Sequence, residues 1–163
     1  MNSKAHSKLK SIVLIGMPGA GKSTLGILLA KELGMGFVDT DVAIQVREGQ
    51  TLQEILEDSD YMNLRNIEEQ ILLSEDIVNK VVATGGSAVY SEAGMARLKD
   101  SATVVFLDVP LEELSNRITN FDSRGIARQP DQSLESLFEE RCKLYKKYAD
   151  IRWTATSSHW SRA

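Results

Sequence analysis

Ser11 to Thr24 reads SIVLIGMPGAGKST, and this stretch decides the fold. Ile12 to Ile15 is a short apolar run. Gly16 to Ser23, GMPGAGKS, then matches GxxxxGK[S/T] in full, and Leu25, Leu28, Leu29 and Leu33 follow on one helical face. Strand, glycine-rich turn and helix opening, in that order, are the context in which such a loop binds nucleotide phosphates. The glycines let successive amides point at phosphate oxygens, and the helix amino terminus adds positive dipole. Gly19, Ala20 and Gly21 are expected to form the cradle and Lys22 to reach the β- and γ-phosphates. Ser23 is expected to ligate Mg²⁺, and Thr24 to continue the helix start near the α-phosphate.

Outward from this loop, short β-rich runs alternate with longer segments of helical period. Strands are expected at Ile12 to Gly16, Gly36 to Asp39, Val81 to Thr84 and Thr103 to Val109, with a weaker fifth at Ile151 to Ala155. Two helices, near Thr51 to Glu57 and Tyr61 to Ser74, follow the second strand. Strands apolar on successive positions are buried on both faces, which predicts an α/β doubly wound parallel sheet covered by helices. Ligands in such sheets sit beyond the carboxyl ends of the strands, here after Gly16, Val38, Thr84 and Val109.

The 163 residues, 42% hydrophobic and 26% charged, predict a single domain over 1–163. There is no internal repeat or low-complexity tract. A net charge of -4 argues against a broadly basic nucleic-acid surface. One cysteine, Cys142, supports neither a disulfide framework nor a zinc cluster and reads as a packed thiol. Lys4, Lys8 and Lys10 before Ile12 superficially resemble a signal peptide, but the apolar stretch is too short, and residues 2 to 10 read as a polar lead-in. No run approaches the roughly 18 residues of a membrane span, so a cytoplasmic chain without membrane contact is expected.

The acceptor of the phosphoryl group must be argued from other residues. Asp39, Thr40 and Asp41 close the second strand, and two carboxylates two residues apart can serve a metal and an acceptor hydroxyl, or simply cap a helix through Asp41. Arg65 in NLRNIEE has Glu68 and Glu69 three and four residues on, which also fits a surface salt bridge. Arg141 stands in the middle of an apolar face formed by Leu134, Leu137, Phe138, Tyr145 and Tyr148, with no acid three or four residues away. Such a guanidinium needs an anion: a substrate carboxylate, or a remote structural acid. Thr84 to Ser87, TGGS, is either a plain turn or a place where a ligand approaches the backbone. From Thr119 to Gln132 periodicity fails around Gly125 and Pro130, which reads as a mobile loop or an inert connection.

The GMPGAGKST loop, the DTD of Asp39 to Asp41, LRNIE, TGGS, LDVP, the arginine-bearing loop and ERCKLY, in this order and spacing from about Ile12 to Ile151, resemble the shikimate kinase family. The resemblance implies ATP- and Mg²⁺-dependent phosphorylation of the 3-hydroxyl of shikimate, in a five-stranded P-loop fold like that of nucleoside monophosphate kinases with a mobile lid. Carried over, Ser23 and Asp39 would hold Mg²⁺, Asp41 would contact the acceptor hydroxyls and act as base, and Arg65 and Arg141 would clamp its carboxylate. Gly85 and Gly86 would line the ring, Arg124 in the lid (about 119–132) would reach the transferring phosphates, and Arg117 would stack on adenine. The acceptor region would span about 40–75, and a monomer is implied. TVVFLD also resembles a Walker B strand, which would give the metal to Asp108; the family comparison favours Asp39.

Four positions depart from the family pattern: Ser87 for a third glycine, Leu64 for phenylalanine, Gly125 and Lys143 for prolines. Serine adds a hydroxyl and restricts φ, so the acceptor could be a relative of shikimate. After Ile151 the likeness decays: RWTATSSHWSRA lacks the adenine-side loop and a final amphipathic helix, no helical stripe in the sequence accompanies Trp153 and Trp160, and His6 and His159 lie in poorly patterned ends. The competing expectations are a gluconate or nucleoside monophosphate kinase, and a nucleotide- or metabolite-binding regulatory domain without turnover.

Overall fold

The computed structural model describes residues 10–154. His6, Ala155, His159 and Trp160 lie outside the described residues. Strands β1 (Ser11–Ile15), β2 (Gly36–Asp39), β3 (Lys80–Ala83), β4 (Ala102–Asp108) and β5 (Ile151–Thr154) pair in parallel in the order β2-β3-β1-β4-β5. Val13, Leu14, Ile15, Val81, Val82 and Ala83 are almost completely buried, as unbroken apolar runs on central strands require. β1, β3 and β4 each begin and end one residue earlier than the apolar pattern predicts. Gly16 turns to φ +150° to begin the phosphate loop, which takes it out of the ladder.

Helices α1 (Lys22–Leu33), α2 (Thr40–Glu48), α3 (Leu52–Asp58), α4 (Tyr61–Ser74), α5 (Glu92–Ser101), α6 (Leu111–Arg117) and α7 (Leu134–Tyr148) connect the strands. The main core lies between the sheet and α5 and α7, where the rings of Phe106 and Tyr145 meet at 5.1 Å. A second cluster, Ile44, Ile55, Leu64 and Ile71 with Ala127, joins α2, α3 and α4 to the segment that follows α6. No helix among the described residues is long and apolar enough to cross a membrane.

Two local expectations are corrected. Only half of the leucine face of α1 meets the core: Leu25 and Leu29 are half-buried and pack against it, Leu28 is 56% exposed and Leu33 37%, and Lys22, Gly26 and Ala30 are the buried positions. The helix lies so close to the sheet that a Cβ on Gly26 would stand 2.7 Å from the Phe37 ring, so Gly26 and Ala30 make the closest approach and Leu25 and Leu29 flank it. The cap of α2 is Asp39, not Asp41. Asp39 Oδ1 accepts from the amides of Asp41 at 2.9 Å and Val42 at 3.3 Å, which leaves Asp41 in the first turn.

Candidate active site

The phosphate loop connects β1 to α1, with Gly19 and Gly21 at φ +81° and +93°, a region costly for residues with a Cβ. Lys22 is buried, and its ammonium donates to Gly16 O at 2.7 Å and Met17 O at 2.8 Å. Burial pulls its pKa down to about 8 against the opposing charge of Asp41. At the helix start Ser23 Oγ donates to Asp39 Oδ2 at 2.5 Å. Asp108 is engaged elsewhere: Arg152 Nε on β5 donates to its Oδ2 at 2.5 Å. This geometry sets Asp39, not Asp108, beside the metal-side hydroxyl.

Arg117 lies against the loop. Its Nη1 donates to Gly19 O at 3.2 Å and Ala20 O at 3.4 Å, and its Nη2 to Glu113 Oε1 at 2.5 Å. Thr24 lines the same cavity, of about 360 Å³, which runs from the loop to α3, α4 and α7.

Asp41 faces the cavity from α2. Burial, followed by the neighbouring Asp39 charge, raises its pKa above the usual carboxylate range. Gly85 and Gly86, after β3, lie where no side chain fits. A Cβ on Gly85 would stand 2.4 Å from Glu68 Oε1 and 2.5 Å from Asp41 Oδ1; one on Gly86 would stand 2.7 Å from Arg141 Nη1. Their turn is fixed by Gly85 N donating to Thr40 Oγ1 at 2.9 Å and by the Tyr145 hydroxyl donating to Gly86 O at 2.6 Å.

The two arginines converge on one carbonyl. Arg141 Nη2 donates to Ala127 O at 2.7 Å and Arg65 Nη2 to the same oxygen at 3.4 Å, while both Nε atoms are buried without a partner. The Tyr90 ring lies 3.6 Å from the Arg65 guanidinium and 5.6 Å from that of Arg141. Neither arginine forms an ion pair among the described residues. The salt bridge from Arg65 to Glu68 or Glu69 is therefore absent. Those carboxylates accept instead from the hydroxyls of Ser87 and Ser91. No acid makes an ion pair with Arg141 among the described residues, although Asp41, Glu68 and Glu140 act on it at longer range.

Between α6 and α7 the chain is irregular apart from one turn at Phe121–Ser123. It roofs the cavity through Arg124, Gly125, Ile126 and Ala127. Gly125 takes φ +73°, which proline cannot adopt, and its amide donates to Gln53 Oε1 on α3 at 3.1 Å. Arg128 ties the segment to itself, donating to Asp122 Oδ1 at 2.6 Å and Gln132 O at 2.9 Å over the ring of Phe121.

The sequence reading missed Glu68, which is 3% exposed, and the Tyr90 ring that backs both arginines. Glu68 did carry a signal. It stands between Leu64, Ile71 and Leu72 on the buried face of α4, as Arg141 stands on its own apolar face. Burial, with Asp41 next, pushes its pKa up to about 7.

A phosphate loop at the end of β1 that shares one cavity with the Asp41 carboxylate and with Arg141, Arg65 standing behind it, defines a P-loop phosphotransferase with the nucleoside monophosphate kinase-like fold. Comparison with known proteins narrows the class. The family model described as shikimate kinase matches residues 18–162, past the point where the motif likeness decays. A shikimate kinase from Persephonella marina is 37% identical over 148 residues, 88% of each chain. A solved shikimate kinase from Acinetobacter baumannii in complex with shikimate superposes with TM-score 0.84 at 32% identity, covering 96% of this chain and 89% of that one. The Aquifex aeolicus shikimate kinase structure gives 0.74 at 37%, covering 88% and 85%. The chain belongs to the shikimate kinase family.

Proposed function

We propose that this chain transfers the γ-phosphoryl group of ATP to the 3-hydroxyl of shikimate. The observation that carries the reading is the pair of guanidiniums, Arg141 at 1% exposure and Arg65 beside it, each with a buried unpartnered Nε and no ion pair among the described residues. Arg141 lines the cavity and Arg65 stands behind it on the same carbonyl and the same Tyr90 ring, a cationic pair that suits a small carboxylate bound through charge-assisted hydrogen bonds. Asp41 lines the cavity together with Lys22 and Arg141, which suits a hydroxyl acceptor aligned with the phosphates. The likeness to the Acinetobacter baumannii protein, which holds shikimate, supports the same acceptor.

Within this reading the loop amides, Lys22 and Thr24 bind the phosphates, and Arg117 borders the nucleotide side. Asp41 orients the acceptor hydroxyl and takes its proton as the bond to phosphorus forms. Arg124 reaches the transferring phosphoryl from the lid, while Gly125 to Ala127 close over the acceptor and exclude water that would otherwise hydrolyse ATP. The whole described chain acts as one kinase unit, with its acceptor side built from α2 to α4.

Mg²⁺ fits the residues present. Ser23 and Asp39 bring two oxygen donors together, and no cluster of three or more His, Cys, Asp or Glu occurs among the described residues. That donor set suits a hard cation that keeps most of its shell for water and phosphate oxygens. When bound, it supplies charge neutralisation at the β- and γ-phosphates.

Incubation with ATP and shikimate, followed by product identification by ³¹P NMR and mass spectrometry, tests the reading. Shikimate 3-phosphate is expected. Phosphorylation of gluconate or a nucleoside monophosphate but not shikimate refutes it, as does tight binding without any phosphorylated product.

A further inference from the structure

Ser87 occupies a place where the local backbone makes no demand for glycine, since its φ is -94° and ψ 0°. The serine therefore restricts nothing in the turn, and its consequence must lie in the hydroxyl. That hydroxyl is turned away from solvent and donates to Glu68 Oε2. Glu68 is buried and has no ion-pair partner among the described residues, and its other oxygen, Oε1, is buried with no hydrogen-bond partner among them. A side-chain oxygen left in that condition costs free energy until a donor reaches it. Oε1 and Asp41 Oδ1 both stand within 2.5 Å of the point just off Gly85 where a Cβ would be. The two oxygens are thus no more than about 5 Å apart, and Glu68, Asp41 and Ser87 all line the cavity.

The geometry points to Ser87 as a positioning residue that fixes the Glu68 carboxyl, so that Oε1 receives a non-reacting hydroxyl of the acceptor next to the one Asp41 engages. The inference rests on the proposed function for the identity of that acceptor. It makes a residue of this chain's own, absent from the family's glycine pattern, part of acceptor selection. With one oxygen held by Ser87, the carboxyl cannot rotate away. An acceptor lacking the matching hydroxyl then leaves Oε1 unpartnered, which is how a polar pocket rejects a deoxy analogue.

The charged groups facing Glu68 are Asp41 on α2, Lys22 on α1 and Arg141 on α7, and the Ser87 hydrogen bond favours its ionised form. The test compares the unaltered chain with Ser87→Ala and Ser87→Thr, all verified as folded by circular dichroism. Removing the hydroxyl should raise the acceptor KM about ten-fold with the ATP KM unchanged, and threonine should restore it. Shikimate analogues lacking the C4 or the C5 hydroxyl should include one that loses about as much on the unaltered chain but little further on Ser87→Ala. Carboxyl ¹³C NMR should show the Glu68 midpoint moving upward in Ser87→Ala and not in Ser87→Thr. An acceptor KM within two-fold in Ser87→Ala overturns the inference, as do fully multiplicative losses with both deoxy analogues or an unmoved Glu68 midpoint. Absence of shikimate turnover in the unaltered chain overturns the proposed function instead, and the Glu68 titration then decides the inference.

Discussion

Replacing Arg141 by methionine tests two explanations of a buried guanidinium that demand opposite effects on stability. An arginine held by a structural acid loses about 3 to 5 kcal/mol of folding stability when the pair is broken, because a charge is left uncompensated. Arg141 is 1% exposed, yet it forms no ion pair among the described residues; it donates to Ala127 O at 2.7 Å, and its Nε has no partner there. Removal forfeits that bond, worth about 1.5 to 3 kcal/mol as a charged donor, but also relieves a desolvation cost of several kcal/mol, so stability should change little or rise by about 1 kcal/mol. Function should move the other way. Loss of one charge-assisted contact to a carboxylate, about 1.5 to 3 kcal/mol, raises the acceptor KM roughly 10- to 150-fold. The ATP KM should stay within two-fold, since Arg141 lies on the acceptor side. Urea denaturation and steady-state kinetics with each substrate varied read both effects. A stability loss of about 3 kcal/mol or more, or a loss confined to ATP affinity, refutes the reasoning.

Asp41→Asn should lower kcat by about 10² or more, the scale of a positioned base; an unchanged kcat takes Asp41 out of that role. Gly125→Ala would place a Cβ 2.6 Å from that of Leu52 and 2.8 Å from Gln53 N, at a φ of +73°. The lid should then sit off α3, which lowers acceptor phosphorylation and raises the fraction of ATP lost to hydrolysis, measured as ADP formed per product. Glu68 is an acid whose pKa is raised on folding from 4.5 to about 7, so its contribution is present in full below about pH 4.5 and is lost as pH rises through 7. That loss is on the order of 3 kcal/mol. Glu68→Gln should flatten the decline in urea midpoint between pH 5 and 7, and parallel curves for the two proteins contradict the assignment.

Legibility in the sequence followed distance along the chain. The strand, loop and helix from Ser11 to Leu33 are contiguous, and the glycines of the loop are required by its own backbone, so both the fold and the phosphate site were readable there. Arg141 was readable because a charge on an apolar helical face contradicts its neighbours whatever packs against it. Glu68 carried the same contradiction on α4 but was masked by Arg65 three residues earlier, which offered a plausible local partner. Leu28 and Leu33 of α1 misled for the opposite reason, while Leu25 and Leu29 do pack on the core. Apolar spacing marks a buried face only when the helix stands a side chain's width from the sheet, and Gly26 brings this one closer.

The amino-acid order by itself determined a parallel α/β sheet, a nucleotide phosphate loop and a cationic acceptor side in a chain of net charge -4. These follow from hydrophobic period, backbone freedom at glycine and permanent guanidinium charge, all of which act over a few residues. Only the tertiary structure decided which partners those charges have. Asp108 is engaged by Arg152 from β5, which leaves Asp39 beside Ser23; Glu68 meets Ser87, 19 residues on, and not Arg65; and Arg65 and Arg141, 76 positions apart in the sequence, share Ala127 O. Hydrogen bonds and ion pairs reach only about 3 to 4 Å, so their partners are fixed by how the elements pack and are not written in any local spacing.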